Sequence, residues 1–318
     1  MFPAWWDSFA LNVLVLLLAV ALDRTLPEPP AIAHPVVWMG RAISSMERVA
    51  PQGPVTAFLF GCGVVVIVVS VSSILAWLVM TALMSVSQVA YVIGGAVVFR
   101  VAFTARGLTS AADKTRQALV EGRLDKARDS LRSLVSRDPS GLQAPLVAAA
   151  SIESVAENTT DSYIGPWLAF AVFGVPGAMA YRAVNTLDSM LGYHGSYEYL
   201  GKAAARLDDV VNLIPARLSA LLLLVSGGLG RLSVGRGWNI MLRDRGRAAS
   251  PNAGLTMSAM AGLLGIRLDK PGHYRLGEGL REPEPEDIGA AIRIAERTAA
   301  LGMVVVLGIL AARHAIFG

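Results

Sequence analysis

An uncharged stretch over residues 52–99 constrains the fold of this chain more than any other feature. A helix needs about 20 apolar residues to cross a bilayer, so the stretch is long enough for two spans. A tight turn must then join them, and clusters of serine place that turn near 70–73 or 85–88. The sequence therefore predicts an integral membrane protein.

Composition supports the same class. Only 16% of the residues are charged and 54% are hydrophobic, with a mean hydropathy of +0.52. Soluble domains carry about 25% charged residues, so disordered, fibrous and ordinary cytosolic classes are excluded. A single cysteine, Cys62, excludes an internal disulfide framework and a zinc site of several cysteines. We assign the net charge of +4 to cytoplasmic loops, and expect a lipid bilayer rather than nucleic acid as partner.

Further apolar runs lie at 8–22, 162–181, 210–230 and 298–312. The first and last are short for a span, and the second contains Phe173-Gly-Val-Pro-Gly177, which predicts a break in the helix. We expect an all-α, polytopic membrane helix bundle with broken or re-entrant spans and a cytoplasmic helical hairpin. The expected location is the cell membrane, with several passes.

Two basic segments, 100–137 and 231–247, set the expected orientation, because Lys and Arg concentrate on the cytoplasmic side. Crossings near 163–181 and 210–230 then place 182–209 outside, although that loop carries much of the polar sequence. Either the polar groups lie in a cavity within the membrane, or the break at 173–177 makes a re-entrant pair. Both alternatives predict a polar cavity in the bundle.

The basic segment also has helical spacing of apolar residues between Leu119 and Val135. Gly122 is expected to separate two helices, and the Asp138-Pro-Ser-Gly141 run to end the second. We therefore divide the chain into three parts. These are N-terminal membrane helices (1–104), a cytoplasmic helical hairpin (105–150), and membrane helices with a cytoplasmic loop that carry the candidate site (151–318).

The first polar motif is acidic. Glu153, Glu157 and Asp161 are spaced to share one face of a helix, where like charges repel unless a cation lies opposite. Carboxylate oxygens suit Mg²⁺, which uses one or two carboxylates together with substrate phosphates. The alternative is a solvated acidic face, or a set of partners for arginines elsewhere in the chain.

Three further motifs combine charged and amide side chains with apolar sequence, and a fifth contains a histidine. Charges on apolar helices face a protein interior or a cavity, and the alternative in each case is a structural ion pair. In the fourth motif, Ser250 is a predicted N-cap and Pro251 a first-turn residue, an arrangement typical of a phosphate site and of a plainly capped helix. The motifs are 181–193 with Arg182, Asn185 and Asp188; 205–217 with Arg206, Asp208, Asp209, Asn212 and Arg217; 250–254 with Ser250 and Asn252; and 34–41 with His34.

Taken in order, the segments 23–24 with 34–41, 152–161, 181–193, 205–217 and 250–254 resemble the CobD/CbiB family of cobalamin biosynthesis. The resemblance implies an integral membrane adenosylcobinamide-phosphate synthase. Such an enzyme joins a carboxylate of adenosylcobyric acid to the amine of an aminopropanol phosphate, with ATP as co-substrate. Because activation of that carboxylate demands a Mg²⁺·ATP site, we expect Mg²⁺ as cofactor. The implied partners are this corrinoid, the aminoalcohol phosphate and other late cobalamin-pathway membrane enzymes. Aminopropanol and ethanolamine phosphate are not distinguished.

Within this interpretation, polar groups from distant segments converge on one wet pocket among apolar helices. A transporter and a non-catalytic membrane sensor of a related family are the alternatives. We assign catalytic roles to Glu153, Glu157, Asp208 and Asp209, and metal binding to Glu153, Glu157 and Asp161. The substrate-binding assignments are His34, Asn158, Arg182, Asn185, Asp188, Arg206, Asn212, Arg217, Ser250 and Asn252.

Overall fold

The computed structural model describes residues 8–192 and 198–317. Apart from one short hairpin, the regular structure in these ranges is helical. The helices are α1 (Phe9–Thr25), α2 (Pro35–Glu47), α3 (Pro54–Val86), α4 (Gln88–Arg100), α5 (Ala105–Val120), α6 (Leu124–Leu131), α7 (Ala144–Thr159), α8 (Gly165–Leu191), α9 (Lys202–Val211), α10 (Leu213–Leu229), α11 (Val234–Asp244), α12 (Ala253–Leu264) and α13 (Pro285–Phe317). A 3₁₀ turn (Ala31–Ala33), a π turn (Thr160–Ile164) and strands β1 (Leu268–Lys270) and β2 (Tyr274–Leu276) complete the described elements.

Several of these helices suit a bilayer by length and composition. Within the described ranges, four helical stretches are long and apolar enough to cross a membrane, and the bent pair α9–α10 makes a fifth if it is counted as one span. The four are Pro54–Val86, Gln88–Val120, Ala144–Leu191 and Pro285–Phe317. The all-α, polytopic prediction is confirmed.

The uncharged stretch turns at Ser87. The Ser87 hydroxyl accepts a hydrogen bond from the Ala90 N–H at 3.0 Å and so caps α4. The turn predicted near 85–88 is therefore confirmed. The alternative near 70–73 is wrong, because the Ser72 hydroxyl bonds the Val68 carbonyl within an unbroken α3 and leaves the backbone ladder intact.

Helix α8 breaks where the sequence predicts it. Gly174 has a positive φ of 68°, which only glycine adopts without strain, and Pro176 has no N–H to continue the ladder. The guanidinium of Arg313 on α13 donates to the carbonyls of Ala171 at 2.7 Å and Val172 at 3.4 Å. The side chain of a buried arginine thus satisfies carbonyls next to the break.

The basic hairpin forms as predicted, with Gly122 in the link at a φ of +71° between α5 and α6. Its second helix, however, ends at Leu131 and not at the 138–141 run. Beyond Leu131 the backbone tightens into a turn, in which Leu134 N–H bonds the Leu131 carbonyl. The Ser154 hydroxyl of α7 donates a hydrogen bond to the Leu134 carbonyl. This tertiary contact is made where the apolar spacing predicted that the helix would continue.

The chain divides into two compact units, each built from discontinuous segments. Unit 1 contains 1–104, 165–211 and 304–318, and unit 2 contains 105–164 and 212–303. The core of unit 1 includes stacked rings of Phe99 and Phe170, with centroids 4.2 Å apart. The three-part division predicted from the sequence stays a prediction.

Candidate active site

The buried carboxylate of Glu153 is the centre of the polar groups in unit 2. It lies on α7, whose alanine-rich sequence packs closely, and the residue is only 6% exposed. Its Oε2 lies 3.5 Å from Nη2 of Arg137, an ion pair longer than a hydrogen bond. Its Oε1 has no hydrogen-bond partner among the described residues. A buried acceptor without a donor is costly, which marks this oxygen as a candidate ligand-binding atom.

The β-hairpin adds groups that sequence reasoning missed. The charges of Lys270 and Asp269 act on Glu153. The Tyr274 hydroxyl donates to the sulfur of Met257 at 3.6 Å, and its charge interaction with Glu153 places the two side chains close together. Burial, followed by the charges of Glu153 and Glu157, raises the pKa of Tyr274 well above its ordinary value. Tyr274 therefore remains a neutral donor at physiological pH. The turn residues Pro271 and Gly272 were the only sequence signal for this hairpin.

The acidic face is not a regular helix to its end. Helix α7 stops at Thr159 and Asp161 lies in the π turn, so the spacing of an α-helix does not extend to it. No group of three or more His, Cys, Asp or Glu side chains that suits a metal ion occurs in the described ranges. Glu153 and Glu157 lie one turn apart, and the unpartnered Oε1 fits a Mg²⁺ ion that takes its other ligands from phosphate and water. The metal assignment stays a prediction.

Asn158 is engaged within its own helix. Its Nδ2 donates to the backbone carbonyl and the hydroxyl of Ser154, at 3.0 and 3.1 Å. Its Oδ1 accepts from the Ser162 hydroxyl at 3.3 Å. These bonds hold the junction of α7 with the π turn, so the structure gives Asn158 a clear local role and leaves its substrate role a prediction.

Unit 1 contains a polar cavity of about 230 Å³, formed where α1, the start of α2, the end of α4 and α8 approach one another. It brings together His34 and Arg182, two predicted site residues that lie far apart in sequence. The other polar lining residues are Asp23, Glu28, Arg100 and Thr104. The apolar lining residues are Pro29, Val36, Val37, Val101 and Phe103.

His34 has a defined tautomer in this cavity. It caps α2, where its Nδ1 accepts a hydrogen bond from the Val36 N–H at 3.3 Å. The neutral ring therefore carries its proton on Nε2. Burial lowers the pKa of His34, and the charges of Arg182 and Arg100 lower it further against an opposing effect of Glu28. His34 is thus a neutral donor beside two cations at physiological pH.

Four polar residues of the cavity were not assigned a role from sequence reasoning, and two of them, Arg100 and Asp23, have defined positions. One Nη of Arg100 donates to the backbone carbonyls of Leu26 and Pro27, which fixes its guanidinium at the cavity wall. Asp23 lies at the end of α1 and is only 5% exposed. Asp23 stood in a matching segment, but nothing in the sequence placed it beside His34.

The remaining predicted residues of unit 1 lie on α8 and α9. Arg182 donates to the Asn185 side-chain oxygen at 3.4 Å, as the three-residue spacing predicts. The carboxylates of Asp188 and Asp209 lie close enough for their charges to interact, so the structure brings these two motifs together. Asp208 is half-buried and Arg206 is exposed. Tyr193, the last residue of the 181–193 motif, lies outside the described residues.

Asn212, Arg217, Ser250 and Asn252 belong to unit 2. Asn212 is buried at the break that precedes α10. The break lies at this residue and not at Pro215, which fits the first turn of α10 because its missing N–H is not needed there. Arg217 is exposed and donates to the Leu213 carbonyl of its own helix at 2.7 Å.

The cap predicted at Ser250 is displaced. Helix α12 begins at Ala253, so Pro251 precedes the helix and does not lie in its first turn. The Ser250 hydroxyl accepts the N–H groups of Asn252 and Ala253, at 3.3 and 3.4 Å. The predicted phosphate site loses these two donors to the serine, and buried Asn252 lies beside them.

The arginines before this cap are tied to a buried carboxylate. Arg243 donates twice to Asp244 at 2.8 Å, and Arg247 lies 3.2 Å from the same carboxylate. Asp244 also accepts the Gly277 N–H at 2.7 Å. Burial raises the pKa of Asp244, but these hydrogen bonds and charges outweigh it and lower the pKa overall. This part of the basic loop has a structural role.

The predicted site residues thus form one set in each unit. His34, Arg182, Asn185, Asp188, Arg206, Asp208 and Asp209 belong to unit 1, and the others to unit 2. Within unit 1, segments distant in sequence meet at the cavity and at the Asp188–Asp209 pair. The convergence of both sets on one pocket stays a prediction.

Comparisons with known proteins identify the family. A family model described as CobD/Cbib protein matches residues 16–304. The chain is 42% identical over 299 residues to cobalamin biosynthesis protein CobD of Dehalococcoides mccartyi (strain CBDB1), covering 94% of this chain and 97% of that protein. It is 38% identical over 300 residues to cobalamin biosynthesis protein CbiB of Salmonella typhi, covering 89% and 93%. No solved structure matches the chain. The chain belongs to the CobD/CbiB family of cobalamin biosynthesis proteins.

Proposed function

We propose that this protein is an adenosylcobinamide-phosphate synthase of the cell membrane. It forms an amide between a carboxylate of adenosylcobyric acid and the amine of an aminopropanol phosphate, at the expense of ATP. Family membership across most of the chain supports the pathway. The unit 1 cavity is the structural observation that carries most weight for the reaction, because it offers both cationic and anionic groups to a small charged substrate.

The chemistry requires activation of the carboxylate, since amide formation from a carboxylate and an amine is uphill in water. A carboxylate oxygen attacks the terminal phosphorus of ATP, which gives an acyl phosphate and ADP. The amine then attacks the acyl carbon, loses a proton and expels inorganic phosphate. Arginine side chains favour such a pathway by stabilising charge on transferring phosphoryl groups.

The polar groups of unit 2 fit the nucleotide side of this reaction. Glu153 and Glu157 would hold Mg²⁺, which neutralises phosphate charge when it is bound with ATP. Arg137 and Lys270 bring positive charge to Glu153, and phosphate oxygens would share it. Tyr274 remains a neutral hydrogen-bond donor beside these carboxylates.

A ligation assay tests the proposal. Detergent-purified protein is given adenosylcobyric acid, 1-amino-2-propanol phosphate and Mg²⁺·ATP, and adenosylcobinamide phosphate is measured by mass spectrometry. We expect product from the wild type. Glu157→Gln should need a higher Mg²⁺ concentration and lose about tenfold to a hundredfold in activity, because one carboxylate ligand is gone.

Glu286→Gln is the matched control, since Glu286 is an exposed carboxylate in the first turn of α13. It should keep wild-type activity and Mg²⁺ dependence. A Glu157→Gln variant with unchanged ligation would remove the metal assignment. Folded wild-type protein that makes no amide would remove the ligase proposal and leave the transporter and sensor interpretations.

A further inference from the structure

We propose that the unit 1 cavity is the subsite for the aminoalcohol phosphate, with its arginines and His34 on the phosphate and its carboxylates on the ammonium group. This inference rests on the proposed function, which supplies the class of substrate. It adds Asp23, Glu28, Arg100 and Thr104 to the residues that sequence reasoning assigned, and it separates the small substrate from the corrinoid.

The size of the cavity selects a small ligand. Pockets for drug-sized molecules measure about 300–1,000 Å³. At about 230 Å³, this cavity is below that range and far too small for a corrin macrocycle. An aminoalkyl phosphate is short enough to lie wholly inside it, with one charged group at each end.

The charges of the lining match the two ends of such a molecule. A phosphate monoester carries about −1.5 to −2 charges at pH 7 and accepts several hydrogen bonds. Arg182 and Arg100 supply positive charge, and neutral His34 supplies the Nε2 proton. Arg100 is already fixed by two backbone carbonyls, so its guanidinium is ordered before a ligand binds.

The carboxylates fit the other end of the ligand. Asp23 is 5% exposed and lines the cavity with its carboxylate. Glu28 lies at the same cavity and is exposed. A substrate ammonium group provides a compact cation with three donors, which suits both carboxylates.

The apolar wall predicts which aminoalcohol is preferred. Val36, Val37, Val101 and Phe103 line the cavity beside the charged groups. Aminopropanol phosphate carries one methyl group that ethanolamine phosphate lacks, and burial of one such group favours binding about fourfold. We therefore expect kcat/KM for the aminopropanol ester to exceed that for the ethanolamine ester by about fourfold to tenfold.

Steady-state kinetics on the full-length protein test the assignment. Arg182→Gln should raise the KM for 1-amino-2-propanol phosphate about tenfold to a hundredfold, because a charge-assisted hydrogen bond is lost. The KM for adenosylcobyric acid should stay within about twofold, since the corrinoid lies elsewhere. Arg182→Lys should recover part of the loss. Arg48→Gln, an exposed arginine that does not line the cavity, should match the wild type.

A selectivity measurement does not depend on how much of a variant folds. Val37→Ala should lower the preference for the aminopropanol ester over the ethanolamine ester, because it removes apolar surface beside the methyl group. An unchanged preference, or an Arg182→Gln variant whose main defect is a higher KM for the corrinoid, would overturn the assignment.

Calorimetry without ATP or corrinoid separates this inference from the proposed function. The wild type should bind 1-amino-2-propanol phosphate, and Arg182→Gln and Asp23→Asn should each weaken that binding about tenfold or more. Binding with this dependence in a protein that makes no amide would support the cavity and reject the ligase. Ligation by a wild type that shows no binding in calorimetry would support the ligase and reject the cavity.

Discussion

Individual residues show how far sequence reasoning reaches. His34 and Arg182 were both selected from sequence, and the structure places them at one cavity. Asp23 and Arg100 complete that cavity, but their contribution depends on helices that meet only in the folded chain. The same limit applies to Glu153. Its neighbour Tyr274 lies on a hairpin that is distant in sequence, and turn residues were the only sequence signal for that hairpin.

The clearest residue-scale prediction concerns Asp244, a buried carboxylate that binds two arginines and the Gly277 N–H. Asp244→Asn removes the negative charge and should lower the free energy of unfolding by about 1–3 kcal/mol at pH 7. Its pKa is lowered in the folded state, so the carboxylate stabilises the fold above the ordinary pKa near 4. That contribution is lost as the pH falls through the lower, folded-state pKa.

Thermal unfolding in detergent, followed from pH 7 to pH 3, measures this effect. The difference in melting temperature between wild type and Asp244→Asn should be largest near neutral pH and shrink below about pH 4. Asp125→Asn is a suitable control, since its carboxylate is 95% exposed in a surface pair with Arg128. Equal melting temperatures for Asp244→Asn and wild type at pH 7 would contradict the structural role.

At the scale of elements, local signals located the breaks well. Ser87 and Gly122 interrupt helices as predicted, and Gly174 with Pro176 breaks α8. The predicted end of α6 was wrong, because the Leu134 carbonyl accepts a hydrogen bond from the Ser154 hydroxyl instead of continuing the helix. The π turn was not predicted from the sequence, although its residues, Thr160 to Ile164, have low helix propensity. Tertiary contacts therefore determine the helix ends that local turn residues do not signal.

The broken α8 makes a prediction about Arg313. Arg313→Met removes the donor to the Ala171 and Val172 carbonyls and should lower the free energy of unfolding by about 1–3 kcal/mol. Arg313→Lys should lose less, because an ammonium group still donates. Melting curves in detergent give the ranking, with Arg293→Met, an exposed residue of the same helix, as the control. A loss in Arg293→Met as large as that in Arg313→Met would show that the carbonyl contacts do not matter.

At the scale of the whole molecule, hydropathy predicted a membrane helix bundle but contains no information on which segments pack into the same unit. The uncharged stretches gave the long apolar helices, which are a property of local sequence. The two units are not local, because each combines segments from separate parts of the chain. Groupings of this kind cannot be found from local composition, which changes along the chain without showing which distant segments pack together.

Orientation in the membrane is a whole-molecule prediction. The basic segments 100–137 and 231–247 should both be cytoplasmic. In a Cys62→Ser background, single cysteines at exposed positions 126 and 245 should react with an impermeant maleimide in inside-out vesicles and not in intact spheroplasts. The Cys62→Ser protein alone reports the background. Reaction of either position in spheroplasts would reverse the predicted orientation.

Transfer of a carboxylate oxygen to phosphate tests the ligase account most directly. Adenosylcobyric acid with ¹⁸O in both oxygens of its reactive carboxylate is turned over with 1-amino-2-propanol phosphate and Mg²⁺·ATP. Activation through an acyl phosphate should place one ¹⁸O in the inorganic phosphate and leave the other in the amide carbonyl. Phosphate that carries no ¹⁸O would contradict the account, because ATP would then be hydrolysed by water without activating the substrate.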